Sequence, residues 1–219
     1  MIRWQHPEYG MISPGVFIPL FEENGCIKRI DSFVWNKVAE QIKKWQGRYS
    51  RTIPVSVNVS RIDICDPELE SELLSIVKNN EIDISSMFLE ITESAYSEDS
   101  DMILETVKRL RDDGFKVEMD DFGSGYSSLN MLTEMPIDVL KLDMKFIRNI
   151  CTNEKDRRMM ELMIDIADFL NVPVVAEGVE HKEQYELLKK SGCDIIQGYY
   201  FSKPVPLEEF DKIVEKELM

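Results

Sequence analysis

Four carboxylates and one amide close short apolar runs: Asn58 in VNVS, Glu90 in FLEIT, Asp120 and Asp121 in KVEMDDFG, and Glu177 in VVAE. Carboxylates are rarely buried without partners, and the adjacent Asp120 and Asp121 repel each other. Something positive or polar therefore belongs beside them: a metal ion, an arginine, or water. No His or Cys accompanies these oxygen ligands, which suits Mg2+ or Mn2+ better than zinc. Four negative charges balance two divalent ions. An aspartate bridging both ions beside one that binds a single ion serves in-line displacement at phosphorus, where paired metals clamp the attacking and leaving oxygens. Lys141, in VLKLD, is placed to hold the attacking water or to neutralise developing charge, and Arg3 to fork onto a phosphate. For any one of these residues an ordinary ion pair is the plainer reading. Asn58, Glu90, Asp120, Lys141, Glu177 and Gln197 falling at successive strand ends argue against that reading for the set.

The elements that must position them are short β-rich runs alternating with helical stretches. The runs are Val55–Ser60, Phe88–Thr92, Lys116–Asp120, Val139–Asp143, Pro173–Glu177 and Asp194–Phe201, with a fragment at Met1–Trp4. Helices are expected over Ser13–Asn24, Asp31–Trp45 and Leu207–Leu218. Three more are expected after Asp66-Pro67, through Leu104, Val107 and Leu110 to Gly114, and from Lys182 to the Lys189-Lys190-Ser191-Gly192 stop. Nearly continuous apolar strands between helices imply a parallel sheet covered on both faces, either doubly wound or closed as a barrel. Polar residues at the ends of six strands favour the barrel, whose strand ends share one mouth, over an open sheet, which joins only the strands at its switch point. The expected fold class is thus α/β, a TIM-like (β/α) barrel. A closed barrel of this kind needs eight strands and typically about 250 residues. With six strands and one fragment, the barrel is expected to be incomplete at its N-terminus.

With 219 residues and 43% hydrophobic content, the chain is read as one large domain, and no linker rich in Pro, Gly or Ser interrupts it. A net charge of −15 argues against binding a nucleic-acid polymer, which requires a basic face. No apolar run is long enough to span a bilayer, so no membrane contact and a cytoplasmic setting are expected. Cys26, Cys65, Cys151 and Cys193 form no CxxC pair and read as reduced packing residues. His6 and His181 read as structural, as do the twelve methionines.

Eight segments in order, RWQHPEYG, FIPLFEENG, VNVS, LEITES, MDDFGSGYSSL, PIDVLKLD, VVAEGVE and QGYYFSKP, resemble the EAL domain family of metal-dependent phosphodiesterases. That resemblance implies a bacterial signalling enzyme that hydrolyses cyclic di-GMP to linear pGpG with two Mg2+ or Mn2+ ions at the mouth of a modified barrel. By the same resemblance, Asn58, Glu90 and Asp120 match metal ligands. Asp121 and Glu177 match groups serving the second metal and its water, with Glu177 also a candidate base. Lys141 matches the lysine near the attacking water. Gln197 matches a residue of the active-site mouth, Asp143 and Arg3 are assigned with it to substrate binding, and Glu93 matches the carboxylate that steadies the loop after Asp121. The loop from Phe122 to Ser128 is similar to the segment that couples dimer contacts to metal binding, which implies a homodimer. In the family, the Arg-Trp pair follows a Glu-Ala-Leu strand. Aligning Arg3-Trp4 places Met1 at the leucine, with the metal-binding glutamate, the first strand and the first helix ahead of residue 1. The alternative to hydrolysis is a catalytically inactive module that binds cyclic di-GMP or another protein.

Overall fold

The computed structural model describes residues 2–49, 52–96, 100–123 and 134–218. The chain divides into two compact units, Met1–Ile91 with Ala95–Lys116 and Thr92–Ser94 with Val117–Met219.

The first unit opens with a hairpin of β1 (Trp4–His6) and β2 (Gly10–Ile12), paired antiparallel. The expected strand fragment at Met1–Trp4 is thus replaced by a hairpin further along. Its turn is closed by His6, whose Nδ1 accepts the N–H groups of Glu8 at 3.1 Å and Tyr9 at 3.2 Å, and by Gly10 at φ +68°. Then come α1 (Pro14–Glu23), α2 (Ile27–Arg48), β3 (Val55–Asn58), α3 (Arg61–Ile64), α4 (Leu69–Asn80), β4 (Met87–Thr92), α5 (Glu93–Tyr96) and α6 (Ser100–Asp112), with Thr92–Ser94 belonging to the second unit. Helix α2 starts a turn earlier than the periodicity from Asp31 suggested. Ile27, Asp31, Trp35, Ala39, Ile42 and Trp45 make one buried stripe at three- and four-residue spacing. That stripe packs on β3 and α4.

The second unit carries β5 (Lys116–Phe122), β6 (Val139–Leu142), α7 (Met144–Arg148), α8 (Glu154–Phe169), β7 (Val174–Ala176), α9 (Lys182–Lys190), β8 (Ile195–Ile196) and α10 (Leu207–Leu218). Strands β3 and β4 pair in parallel within the first unit, and within the second β5, β6, β7 and β8 pair in parallel in chain order. Strands β6 and β7 are buried at every residue, as a sheet covered on both faces requires. An aspartate fixes register twice: Asp138 Oδ2 accepts the Val117 N–H at 3.0 Å, and Asp194 Oδ2 accepts that of Val174 at 2.8 Å. The run Asp194–Phe201, read as a strand, contributes only Ile195–Ile196. Gly198 then lies so close to the Val179 backbone that a Cβ there would sit 2.1 Å from the Val179 oxygen, and the chain turns away. The four cysteines are free, and Cys151 is exposed. Of the methionines on α8, Met160 and Met163 are buried whereas Met159 is exposed.

One buried pair in the first unit predicts a pH dependence. Asp31 on α2 and Asp63 on α3 are 8% and 3% exposed. Burial, then the hydrogen bond and charge of Asp63 with a further contribution from Glu22, push the Asp31 carboxyl up to about 8, against an opposing hydrogen bond from Ser60. The folded state therefore holds this proton more tightly than the unfolded chain does. The associated stability is complete below about pH 4 and is lost as pH rises through about 8. Asp31→Asn removes that loss, so its thermal midpoint gains on the wild type progressively between about pH 4 and pH 8, by up to about 1.4 kcal/mol per pH unit, several degrees in all. Melting curves at the two pH values check this; an equal change at both would show that protonation of Asp31 is not the cause.

Candidate functional site

The second unit brings Asp120, Lys141 and Glu177 together from three neighbouring strands. Register explains how. Met119 pairs with Leu140 and Phe122 with Leu142, so Asp120 and Asp121 together stand opposite Lys141 alone. This is a β-bulge, in which one extra residue breaks the strict alternation of faces and re-aims side chains. Asp121 takes the strained half of it at φ +55°, a left-handed conformation that non-glycine residues seldom adopt. The sequence reading ended this strand at Asp120; it continues through the bulge to Phe122.

Lys141 is 5% exposed, and its ammonium lies 2.7 Å from Glu177 Oε1 and 3.1 Å from Asp120 Oδ1. Asp120 Oδ1 is buried, and although it meets Lys141 at ion-pair distance, the angle does not make a hydrogen bond. The Asp121 carboxyl is crowded although the residue as a whole is exposed. Burial and then the charges of Asp120 and Asp143 raise its pKa above the usual carboxylate value, with Lys141 and Lys145 opposing. The positive group beside the paired aspartates is thus a lysine, a partner that the reading of those two residues did not name.

Glu93, buried at the start of α5, accepts the Gly123 N–H at 2.7 Å and so anchors the chain just after Asp121. Residues 124–133, which include most of the loop expected to couple dimer contacts to metal binding, lie outside the described residues. Asp143 caps α7: its Oδ1 accepts the Lys145 N–H at 2.7 Å, and its Oδ2 lies 3.6 Å from Lys145 Nζ. Gln197 has an exposed side chain, while its backbone is held between the Ala176 oxygen and the Val179 N–H.

In the first unit, Asn58 and Glu90 are register partners on β3 and β4. The end of β3 is held by Trp35, whose indole Nε1 donates to the Asn58 carbonyl at 3.0 Å, and by the Val59 N–H donating to the Glu90 carbonyl at 2.9 Å. Trp35 was not singled out from the sequence; its only sign there is its place on the apolar stripe of α2. Arg3 is exposed and its guanidinium donates to the Ile2 carbonyl at 3.0 Å.

Among the described residues no group of three or more His, Cys, Asp or Glu side chains converges as ready metal ligands. The donor chemistry still fits a hard divalent cation. Asp120, Asp121 and Glu177 offer only oxygen, and Asp120 Oδ1 has ion-pair contact without a hydrogen bond.

The model of the EAL domain family matches residues 1–204. The oxygen sensor protein DosP of Escherichia coli (strain K12) is 36% identical over 209 residues, 95% of this chain and 26% of its own length. The cyclic di-GMP phosphodiesterase NbdA of Pseudomonas aeruginosa is 34% identical over 213 residues, 96% of this chain and 27% of its own length. The chain therefore spans about a quarter of the length of these curated relatives. Among solved structures, the PaMucR phosphodiesterase in complex with c-di-GMP superposes with a TM-score of 0.91 at 33% identity, covering 95% of this chain and 84% of that one. The fold is accordingly α/β of the TIM-like (β/α) barrel type. A family match over nearly the whole chain makes this chain a member of the EAL domain family.

Proposed function

We propose that the chain is a cyclic di-GMP phosphodiesterase domain, hydrolysing one phosphodiester bond to give linear pGpG. The observation that carries this reading is the Lys141 ammonium held between Asp120 and Glu177 at a bulged strand end. The PaMucR complex and the relatives named as cyclic di-GMP phosphodiesterases support the same substrate. In this reaction water adds to phosphorus, one P–O bond breaks, and the departing ribose oxygen takes up a proton. Glu177 is the base that accepts the proton of water, and Lys141, 2.7 Å from its Oε1, holds that carboxylate in place. Asp120 and Asp121 are the proposed holders of Mg2+ or Mn2+ together with Glu177, and the proposed ligands of the first unit are Asn58 and Glu90. Such an ion, when bound, supplies Lewis acidity toward the phosphoryl oxygens. Arg3, Gln197 and Asp143 are proposed to face the substrate. A homodimer formed through the loop after Asp121 and a bacterial cytoplasmic setting belong to the same proposal. Among the described residues no helix is long and apolar enough to cross a membrane.

One observation favours a second reading, in which the domain binds the dinucleotide without cleaving it: no three acidic side chains converge among the described residues. Incubation with cyclic di-GMP and Mn2+ or Mg2+, followed by chromatography of the nucleotides, separates the two. Hydrolysis predicts pGpG that disappears with EDTA, whereas intact dinucleotide retained by the protein selects the receptor reading.

A further inference from the structure

Gly123, one residue beyond β5 and two beyond Asp121, is gripped from two directions. Its N–H donates to Glu93 Oε2 at 2.7 Å, and its Cα face lies against the ring of Phe146 on α7. The approach is so close that a Cβ at Gly123 would sit 2.0 Å from Phe146 Cε2 and 2.3 Å from Cζ, and the backbone there is left-handed at φ +87°. Helix α7 is a firm backing. Asp143 caps its start, Ile147 is fully buried, and the buried Gln184 of α9 donates to the Ile147 carbonyl at 3.1 Å. The same helix touches the other acidic loop, since a Cβ at Gly178, next to Glu177, would sit 2.4 Å from Met144 Cβ. The single turn after the Lys141 strand thus backs the segments that follow both Asp121 and Glu177.

We propose that Phe146 is a positioning residue for Asp121, its ring setting the path of Gly123 and, through the bulge, the direction of the aspartate carboxylate. The side chain is far too apolar to join the chemistry, and it acts by excluding other backbone positions. Its catalytic consequence rests on the phosphodiesterase reading; its geometric consequence does not.

The test therefore measures both, on the full chain. Hydrogen exchange of the Gly123 amide, followed by NMR, reports the clamp whether or not the protein turns over substrate. In Phe146→Ala that amide exchanges about ten-fold faster or more, as expected for a local opening that no longer meets the ring. The kcat for pGpG formation falls by roughly ten- to a hundred-fold with KM within about two-fold, the signature of misplacement rather than lost binding. Phe146→Leu restores most of both. Should the alanine variant fail to fold, Gly123→Ala paired with Gly123→Ala/Phe146→Leu serves instead. The methyl group drives into the ring in the single variant, and the smaller side chain relieves it, so the double variant outperforms the single one. Unchanged Gly123 exchange in Phe146→Ala, or a double variant no better than Gly123→Ala, overturns the proposal. A wild-type chain that makes no pGpG sinks the phosphodiesterase reading, and the clamp is then decided by amide exchange alone.

Discussion

Lys141→Met is expected to destabilise the second unit and to cut turnover by about 10²–10³, and the two losses respond differently to metal. The substitution preserves side-chain bulk but leaves Asp120 and Glu177 facing each other without the ammonium that sits 3.1 Å and 2.7 Å from them. Stranding a buried charge by removing its partner costs about 3–5 kcal/mol. Because Glu177 is a quarter exposed and water screens part of its charge, the lower end of that range is expected, a fall of roughly 6–10 °C in the thermal midpoint. Adding Mn2+ supplies the missing positive charge, so it should raise the midpoint of the variant by more than that of the wild type. Turnover does not return with it. Loss of a group that steadies charge at the reacting centre costs about 10²–10³ in kcat. Scanning calorimetry across a Mn2+ series, paired with pGpG assays, checks both halves. Equal metal responses in variant and wild type would show that the lysine and the ion do not share these carboxylates.

Asp120→Asn is expected to separate stability from function in the opposite sense. The Lys141 ammonium pairs with two carboxylates, and the variant removes one of these two negative charges. Lys141 keeps Glu177 at 2.7 Å, and the amide retains the shape of the side chain. Folding stability should therefore hold or rise by up to about 1 kcal/mol, as when a residue kept for function is relieved of its strain. The pGpG rate should fall by about 10³ or more, because a neutral amide is a far weaker ligand for a hard cation than a carboxylate. A large drop in thermal midpoint with modest loss of rate would reassign Asp120 to a structural ion pair.

Much of this was legible in the sequence because apolar period and turn residues report local structure directly. The strands at Val55, Phe88, Lys116, Val139 and Pro173 fall within a few residues of their expected bounds, and α10 matches its expectation at both ends. The strand ends bearing Asp120, Lys141 and Glu177 follow from that periodicity, since parallel strands in chain order bring their C-terminal residues together. What stayed hidden depends on register and on contacts between distant segments. The bulge at Asp120-Asp121 exists only relative to Leu140 and Leu142 on the neighbouring strand. The pairing of Asp31 with Asp63 joins two helices whose sequences each look ordinary, and burial rather than spacing gives it its chemistry. The hairpin at Trp4–His6 and Gly10–Ile12 was missed because three-residue strands carry too little periodicity to register. Phe146 was not singled out from the sequence; only the left-handed turn at Gly123 shows why a flat ring belongs there.

The central claim is that the carboxylates gathered around Lys141 direct water onto a cyclic dinucleotide. It is tested most directly by following cyclic di-GMP and Mn2+ with this chain beside its Glu177→Gln counterpart, and resolving the nucleotides by chromatography over time. The account predicts pGpG from the wild type, none with EDTA, and a rate lower by about 10³ in Glu177→Gln with the dinucleotide still bound. Equal rates in the two proteins, or no pGpG from the folded wild type under any divalent metal, would contradict it.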